Sequence, residues 1–286
     1  MFKIIILIPY FGKLPFWMPY FLISCKYNPS IKWIIITNDN KNNLDIPPNV
    51  EFIYHSFISY CQLVSSKLKI NFHPKNPYKL CDIKPALGVI HEDLIKNYDF
   101  WGFGDLDVIY GDLRKYFSED RLNKKSLFST HKTRVAGHLC LIKNHPKLNQ
   151  AFMKVRNWRN IFEDEKHYAF DEKNFSKIFL KHKNLPKFLR NILKLFNPWL
   201  RLAEFNEVYS TANTRIKWLD GTLNFPETWF WNKGKITNNL NEEIDFPYFH
   251  FMVWKKNWID DDSKVPKRIS PNFCINSKGF YQKQNS

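Results

Sequence analysis

Four short apolar runs at the start of the chain alternate with stretches of helical pattern, and the fourth leads directly into a pair of aspartates. Ile4–Ile8 is continuously apolar and stops at Pro9. Lys32–Thr37 reads Lys-Trp-Ile-Ile-Ile-Thr and is ended by Asn38-Asp39-Asn40. Val50–His55 and Phe100–Phe103 follow. Helical patterns fill the gaps at Pro15–Tyr27, Ser56–Leu68 and Pro85–Ile95, the last with Asp82 near its N-terminus. Strands alternating with helices of this length build βαβ units around a mainly parallel sheet. The expected class is therefore α/β, a Rossmann-like sheet flanked by helices.

The second half has a different texture. Ser126–Thr130 and His138–Ile142 read as short strands and Lys147–Trp158 as a helix. Lys177 to Leu202 carries Lys177, Lys181, Lys183, Lys187, Arg190, Lys194 and Arg201 without one acid, and Phe188, Leu189, Ile192, Leu193, Leu195 and Phe196 recur there at helical spacing. Short β-like segments follow at Ile216–Leu219 and Tyr248–Trp254. The tail from 261 to 286 is polar and expected to pack loosely. No linker divides the chain, so we expect one domain, with residues 1–110 and 111–260 as its two halves and then the tail.

Composition narrows the function classes. Hydrophobic residues make up 44% and aromatics 17% of 286 residues, which excludes disorder as the main state. Lys plus Arg is 43 against 27 Asp plus Glu, a net charge of +16 that calls for an anionic partner. Helix-turn-helix, zinc-finger and ribonucleoprotein motifs are missing, so no nucleic acid is expected. No apolar run approaches the ~20 residues of a membrane helix. The first run lacks a small-residue cleavage site and is not expected to be a signal peptide. The five cysteines are odd in number and scattered, which suits reduced thiols in a cytoplasm.

Two constellations carry chemistry. In Trp101-Gly-Phe-Gly-Asp105-Leu-Asp107, residues i and i+2 of an extended backbone share a side, so both carboxylates can hold a hard divalent cation that bridges a diphosphate. In Tyr78-Lys79-Leu-Cys-Asp82-Ile-Lys84-Pro85, two lysines and an aspartate precede a helix, which suits a phosphate or plain helix capping.

A first strand ending in Ile8-Pro9-Tyr10-Phe11-Gly12, a second ending in Thr37-Asn38-Asp39, then Tyr78–Pro85 and Phe103–Asp107, resembles sugar-nucleotide glycosyltransferases of the GT-A fold. More narrowly it is similar to bacterial enzymes of capsule and O-antigen gene clusters. The resemblance implies a nucleotide-diphosphate sugar donor, UDP-linked, a Mn²⁺ or Mg²⁺ ion, and a hydroxyl on a glycan acceptor that is lipid-linked. It puts Pro9, Tyr10 and Asp39 near the nucleoside, Lys79, Asp82 and Lys84 beside the base, ribose and phosphate, and Asp105 and Asp107 at the ribose and metal. It offers His250 as third metal ligand, with Lys255 or Lys256 on the diphosphate, and Gly137 and His138 at the donor hexose. Asp171 or Glu172 would be the base of an inverting transfer, with retention left open. Glu163, Asp164 and Glu165 read as a solvated helix face. The basic segment 177–202 would hold the enzyme on anionic lipid at the inner face of the cytoplasmic membrane. Two rivals stand: a metal-dependent nucleotidyl or phosphoryl transferase using Asp105 and Asp107, and a non-catalytic basic module that binds nucleic acid or lipid.

Overall fold

The structure, a computed structural model, describes residues 1–40, 44–180, 185–186, 188–189, 192, 196–212, 214, 216–258 and 269–282. Strands β1 (Ile4–Pro9), β2 (Ile31–Thr37), β3 (Val50–Tyr54) and β4 (Phe100–Gly104) run parallel in the order β3-β2-β1-β4. Helix α1 (Met18–Lys26) joins β1 to β2, and α2 (Phe57–Leu68) follows β3. The Ser56 hydroxyl caps α2 by accepting from Ser59 N at 3.0 Å. Strands β1 and β4 are apolar and almost wholly buried because both faces are covered, whereas β3 at the sheet edge exposes Glu51 and Tyr54. Ile5, Leu7, Ile34 and Ile36 pack with α2, whereas Ile4, Ile6, Trp33 and Ile35 pack with α1.

The sheet continues through strands of the second half. After β5 (Val108–Tyr110) come β6 (Leu127–Ser129), β7 (Leu139–Lys143) and β8 (Ala203–Phe205). Strand β7 lies antiparallel between β4 and β6, and β8 lies parallel to β6, which completes a seven-stranded, mainly parallel sheet. The expected α/β architecture is therefore present. Strands β1, β2 and β4 end at one edge, so Tyr10, Asp39 and Asp105 each follow a strand end there. The chain reaches opposite neighbours on either side of β1, and such a reversal opens a crevice at the carboxyl ends of the strands.

A second layer follows: β9 (Thr228–Asn232), β10 (Lys235–Asn238), β11 (Tyr248–His250), β12 (Asn272–Asn276) and β13 (Gly279–Gln282). Four of these form an antiparallel sheet in the order β10-β9-β12-β13, and β11 pairs with β5. Much of the aromatic content is spent here. Trp229 stacks on Phe249 with ring centroids 4.4 Å apart, and Trp231 donates to Tyr110 O at 2.8 Å. This aromatic core fixes β11, and so His250, against β5.

Several local expectations change. Pro85–Ile95 is not one helix but the last part of a chain of single turns running from Pro77 to Ile95. Gly88 presses so closely on Trp101 that an added Cβ would sit 2.5 Å from the ring. Lys147–Trp158 breaks at Val155, which is extended, and helix resumes at Trp158–Glu163. Ile216–Leu219 is a turn held by Trp218 N donating to Thr222 O. The strand at Tyr248 ends at His250. Residues 272–282 of the tail are not loose: they form the β12–β13 hairpin and bury Phe273 and Ile275. Glu163, Asp164 and Glu165 are exposed as expected, although the helix ends at Glu163; Glu163 and Glu165 accept from Asn71 N and Lys75 N. No helix among the described residues is long and apolar enough to cross a membrane.

Candidate functional site

Asp105 follows the last residue of β4, and a bend returns the chain so that Asp107 enters β5. Because β5 pairs with β11, Val108 lies opposite His250, and Phe251 N donates to Asp107 O at 3.1 Å. Asp105, Asp107 and His250 thereby offer ligand atoms that all lie within 4.8 Å of one another. Two carboxylates and an imidazole fit Mg²⁺ or Mn²⁺.

Two lysines flank these residues. Lys255 Nζ lies 2.7 Å from Asp107 Oδ2, and His250 Nε2 lies 3.5 Å from the same atom. Burial pushes the Asp107 carboxyl up, but the charges and hydrogen bonds of His250 and Lys255 outweigh it and hold it well below the usual range. Lys84 Nζ lies 2.5 Å from Asp105 Oδ1 and donates to Gly137 O at 3.0 Å. Burial works against the Lys84 charge, yet Asp105 more than offsets it and raises its pKa. Both lysines are cations beside carboxylates that would share a metal, a setting suited to a diphosphate.

His138 stacks on His250, with ring centroids 4.1 Å apart, and its Nε2 lies 2.8 Å from the Tyr248 hydroxyl. Burial first, then the neighbouring His250, holds the His138 pKa well below its ordinary value. A neutral His138 therefore packs beside the cluster. Tyr248 was missed from sequence, although it sits two residues before His250 on one strand and so shares its face.

The Asp171 carboxyl reaches this centre from the other side. It is 4% exposed, and a Cβ added to Gly137 would stand 2.6 Å from its Oδ2 and 3.6 Å from Lys84 Nζ. Burial raises its pKa from 3.8 to about 7, against the opposing Lys84 charge. Glu172 points elsewhere and pairs with Arg134 at 3.3 Å.

The other expected residues divide. Pro9 ends β1 and Tyr10 follows it; Asp39 accepts from Leu14 N at 2.6 Å and Asn38 from Gly12 N at 2.9 Å, which ties the loop after β1 to the end of β2. Gly12 serves that loop with a φ of +124°. Tyr10 lies within the electrostatic reach of Lys255. Lys256 is exposed, and Lys255 is the one that reaches Asp107. Lys79 and Asp82 do not line the crevice, being 1% and 0% exposed. Tyr78 was not singled out as a site residue. It is 61% exposed, lies edge-on to His167, and feels Asp105, Lys84 and Lys255.

The profile of the family described as "Family of unknown function (DUF6625)" matches residues 6–284. No curated protein matches the chain. Among solved structures, mouse xyloside xylosyltransferase 1 in its apo form is similar at 10% identity and a TM-score of 0.48, covering 87% of this chain and 97% of that one. The glycosyltransferase GlyE of Streptococcus pneumoniae gives 14% identity and 0.33, covering 73% and 46%. The galactosyltransferase LgtC with donor and acceptor sugar analogues gives 11% and 0.31, covering 72% and 74%.

Proposed function

We propose that this chain, which belongs to the DUF6625 family, is a metal-dependent glycosyltransferase that moves a sugar from a nucleotide diphosphate to a hydroxyl of a glycan. The observation that carries this reading is the Asp105–Asp107–His250 group at the carboxyl edge of the sheet, with Lys84 and Lys255 beside it and the protonatable Asp171 opposite. The crevice edge that carries Tyr10 and Asp39 is left for a nucleoside. A bound Mn²⁺ or Mg²⁺ supplies Lewis-acid screening of the diphosphate. Lys255 and Lys84 hold the diphosphate oxygens as negative charge builds on them. The acceptor oxygen bonds to the anomeric carbon, the bond from that carbon to the diphosphate oxygen breaks, and the hydroxyl proton passes to the Asp171 carboxylate.

A nucleotidyl transferase with the same metal group would cleave the diphosphate itself. Incubation with Mn²⁺, a UDP-sugar and a glycan acceptor is expected to release UDP in step with glycosylated product. Release of sugar 1-phosphate with UMP joined to the acceptor, or of UMP with sugar phosphate joined to it, would overturn the proposal. The resemblance implies inversion, which the anomeric proton coupling in the product reads: a retained anomer would turn Asp171 from base into a group that holds the sugar.

Gly137 sits where any side chain would strike Asp171. Gly137→Ala is expected to lower kcat on the order of 100-fold, the scale of a misplacement near 1 Å, with little change in the melting temperature. A variant with wild-type kcat would show that the carboxyl has room to spare.

The finer reading places the enzyme on a bacterial inner membrane, acting on a lipid-linked acceptor in surface polysaccharide synthesis. Phe188, Ile192 and Phe196 are exposed at 64%, 52% and 78%, which supports it. Lys181, Lys183, Lys187, Arg190, Leu193, Lys194 and Leu195 lie outside the described residues. Changing Lys187, Arg190 and Lys194 to Glu is expected to release the protein from anionic vesicles, since each basic residue near such a surface contributes about 1 kcal/mol. Equal co-sedimentation of wild type and variant would remove this segment as the membrane contact.

A further inference from the structure

The buried pair Lys79 and Asp82 sends its hydrogen bonds to the segment that precedes Asp171. Lys79 Nζ donates to Asp82 Oδ2 at 2.9 Å and to the carbonyls of Ile161 and Lys166, both at 2.6 Å. The ammonium thus has three acceptors for its three protons. Asp82 accepts from Tyr168 N at 3.0 Å and Phe170 N at 2.9 Å, and His167 Nδ1 lies 3.2 Å from its Oδ1.

The two backbone donors bracket Ala169, whose φ is +51°. A residue with a Cβ takes this left-handed conformation only at a cost. The chain then enters a wide π-type turn over Asp171–Phe175, a form frequent at functional sites. Behind the turn, Ser176 Oγ donates to Asp171 O at 2.9 Å and accepts from Val135 N at 2.7 Å, which joins it to the loop that carries Gly137. Asp171 is therefore gripped from both ends.

An ion pair this deeply buried contributes little net stability compared with an apolar replacement. What it does supply is a set of acceptors and donors that only one backbone path satisfies. We propose that Lys79 and Asp82 are positioning residues for transfer: they impose the left-handed turn at Ala169 and so hold the Asp171 carboxyl against Gly137 and Lys84. The proposal rests on Asp171 being the carboxylate at the reacting centre. Neither residue touches substrate.

The test compares wild type, Asp82→Asn, the double variant Lys79→Met with Asp82→Asn, and Asp82→Asn with Ala169→Gly. Asparagine keeps the volume but cannot satisfy all the donors that Asp82 serves. The double variant leaves no unpaired buried charge and guards against misfolding of the single one. For both, kcat is expected to fall at least about ten-fold with donor KM and Mn²⁺ affinity unchanged. Amide exchange over residues 168–175 should quicken by at least about ten-fold, as local opening becomes easier. Glycine takes positive φ freely, so Ala169→Gly should restore part of the lost kcat. Unchanged kcat with unchanged exchange would overturn the proposal. So would a loss of donor or Mn²⁺ affinity in step with kcat, because that marks general disruption. An Asp171→Asn variant with normal kcat would instead overturn the role of Asp171, and the exchange rates alone would then judge the clamp.

Discussion

Asp107→Ala is expected to lower kcat/KM by more than about 100-fold, beyond the ~10–100-fold that loss of an outer-shell partner costs a metal site. Asp107 is 4% exposed and is the common partner of His250 and Lys255. Its loss removes a ligand and also takes from the half-buried Lys255 the carboxylate 2.7 Å from its Nζ. The fold should persist, because the tie from β11 to this position is Phe251 N donating to the backbone carbonyl. Asp107→Asn keeps the shape and should fail nearly as badly. Steady-state kinetics alongside Mn²⁺ titration check this. An alanine variant that works at the wild-type rate, or a wild type that works in excess chelator, would contradict it.

Asp171→Asn is expected to cut kcat by about 10²–10⁴-fold, the range for loss of a general base, while donor and Mn²⁺ binding stay the same. The pH dependence follows from the pKa of about 7. Only the ionised carboxylate accepts a proton, so the wild-type rate should climb as pH rises through about 7. Burial sets that midpoint first, and the charges of Lys84, Glu172 and Asp105 adjust it. Stability carries the opposite sign. The unfolded carboxyl ionises near 3.8, whereas the folded one holds its proton to about 7, so the native state loses stability as pH rises across that interval. Asp171→Asn should therefore melt higher than wild type above pH ~7 and equally near pH ~4, at roughly 2–4 °C per kcal/mol for a chain of this size. A variant with normal kcat and a wild-type melting profile would remove Asp171 from the mechanism.

The parallel half was legible because its strands are buried on both faces, which writes them as unbroken apolar runs such as Ile4–Ile8. Asp-x-Asp was legible because it follows the last of those runs directly. The outer layer was not. Thr228–Asn232 and Asn272–Asn276 alternate buried and more exposed positions among aromatic residues that carry no clear period, and β9, β10, β12 and β13 pair only with one another. Nor could sequence separate Lys84 from Lys79. Both precede the same turns, but Lys79 faces the interior and the Ile161–Phe170 segment, while Lys84 faces Asp105. That difference depends on where residues about 80 positions downstream return, and local spacing does not encode it. His250 was found through resemblance, and its place beside Asp107 is set by the pairing of two three-residue strands.

The central claim is that the Asp105–Asp107–His250 group binds a nucleotide-diphosphate sugar through a divalent ion, and thermal shift with a panel of such sugars tests it most directly. With Mn²⁺ and the right donor at about 100 times its dissociation constant, linkage gives roughly 2.7 kcal/mol and a rise on the order of 5–10 °C. Wild type should show that rise, and it should vanish in chelator and in Asp107→Ala. No shift with any nucleotide sugar under Mn²⁺ or Mg²⁺, or an equal shift in chelator, would contradict the account.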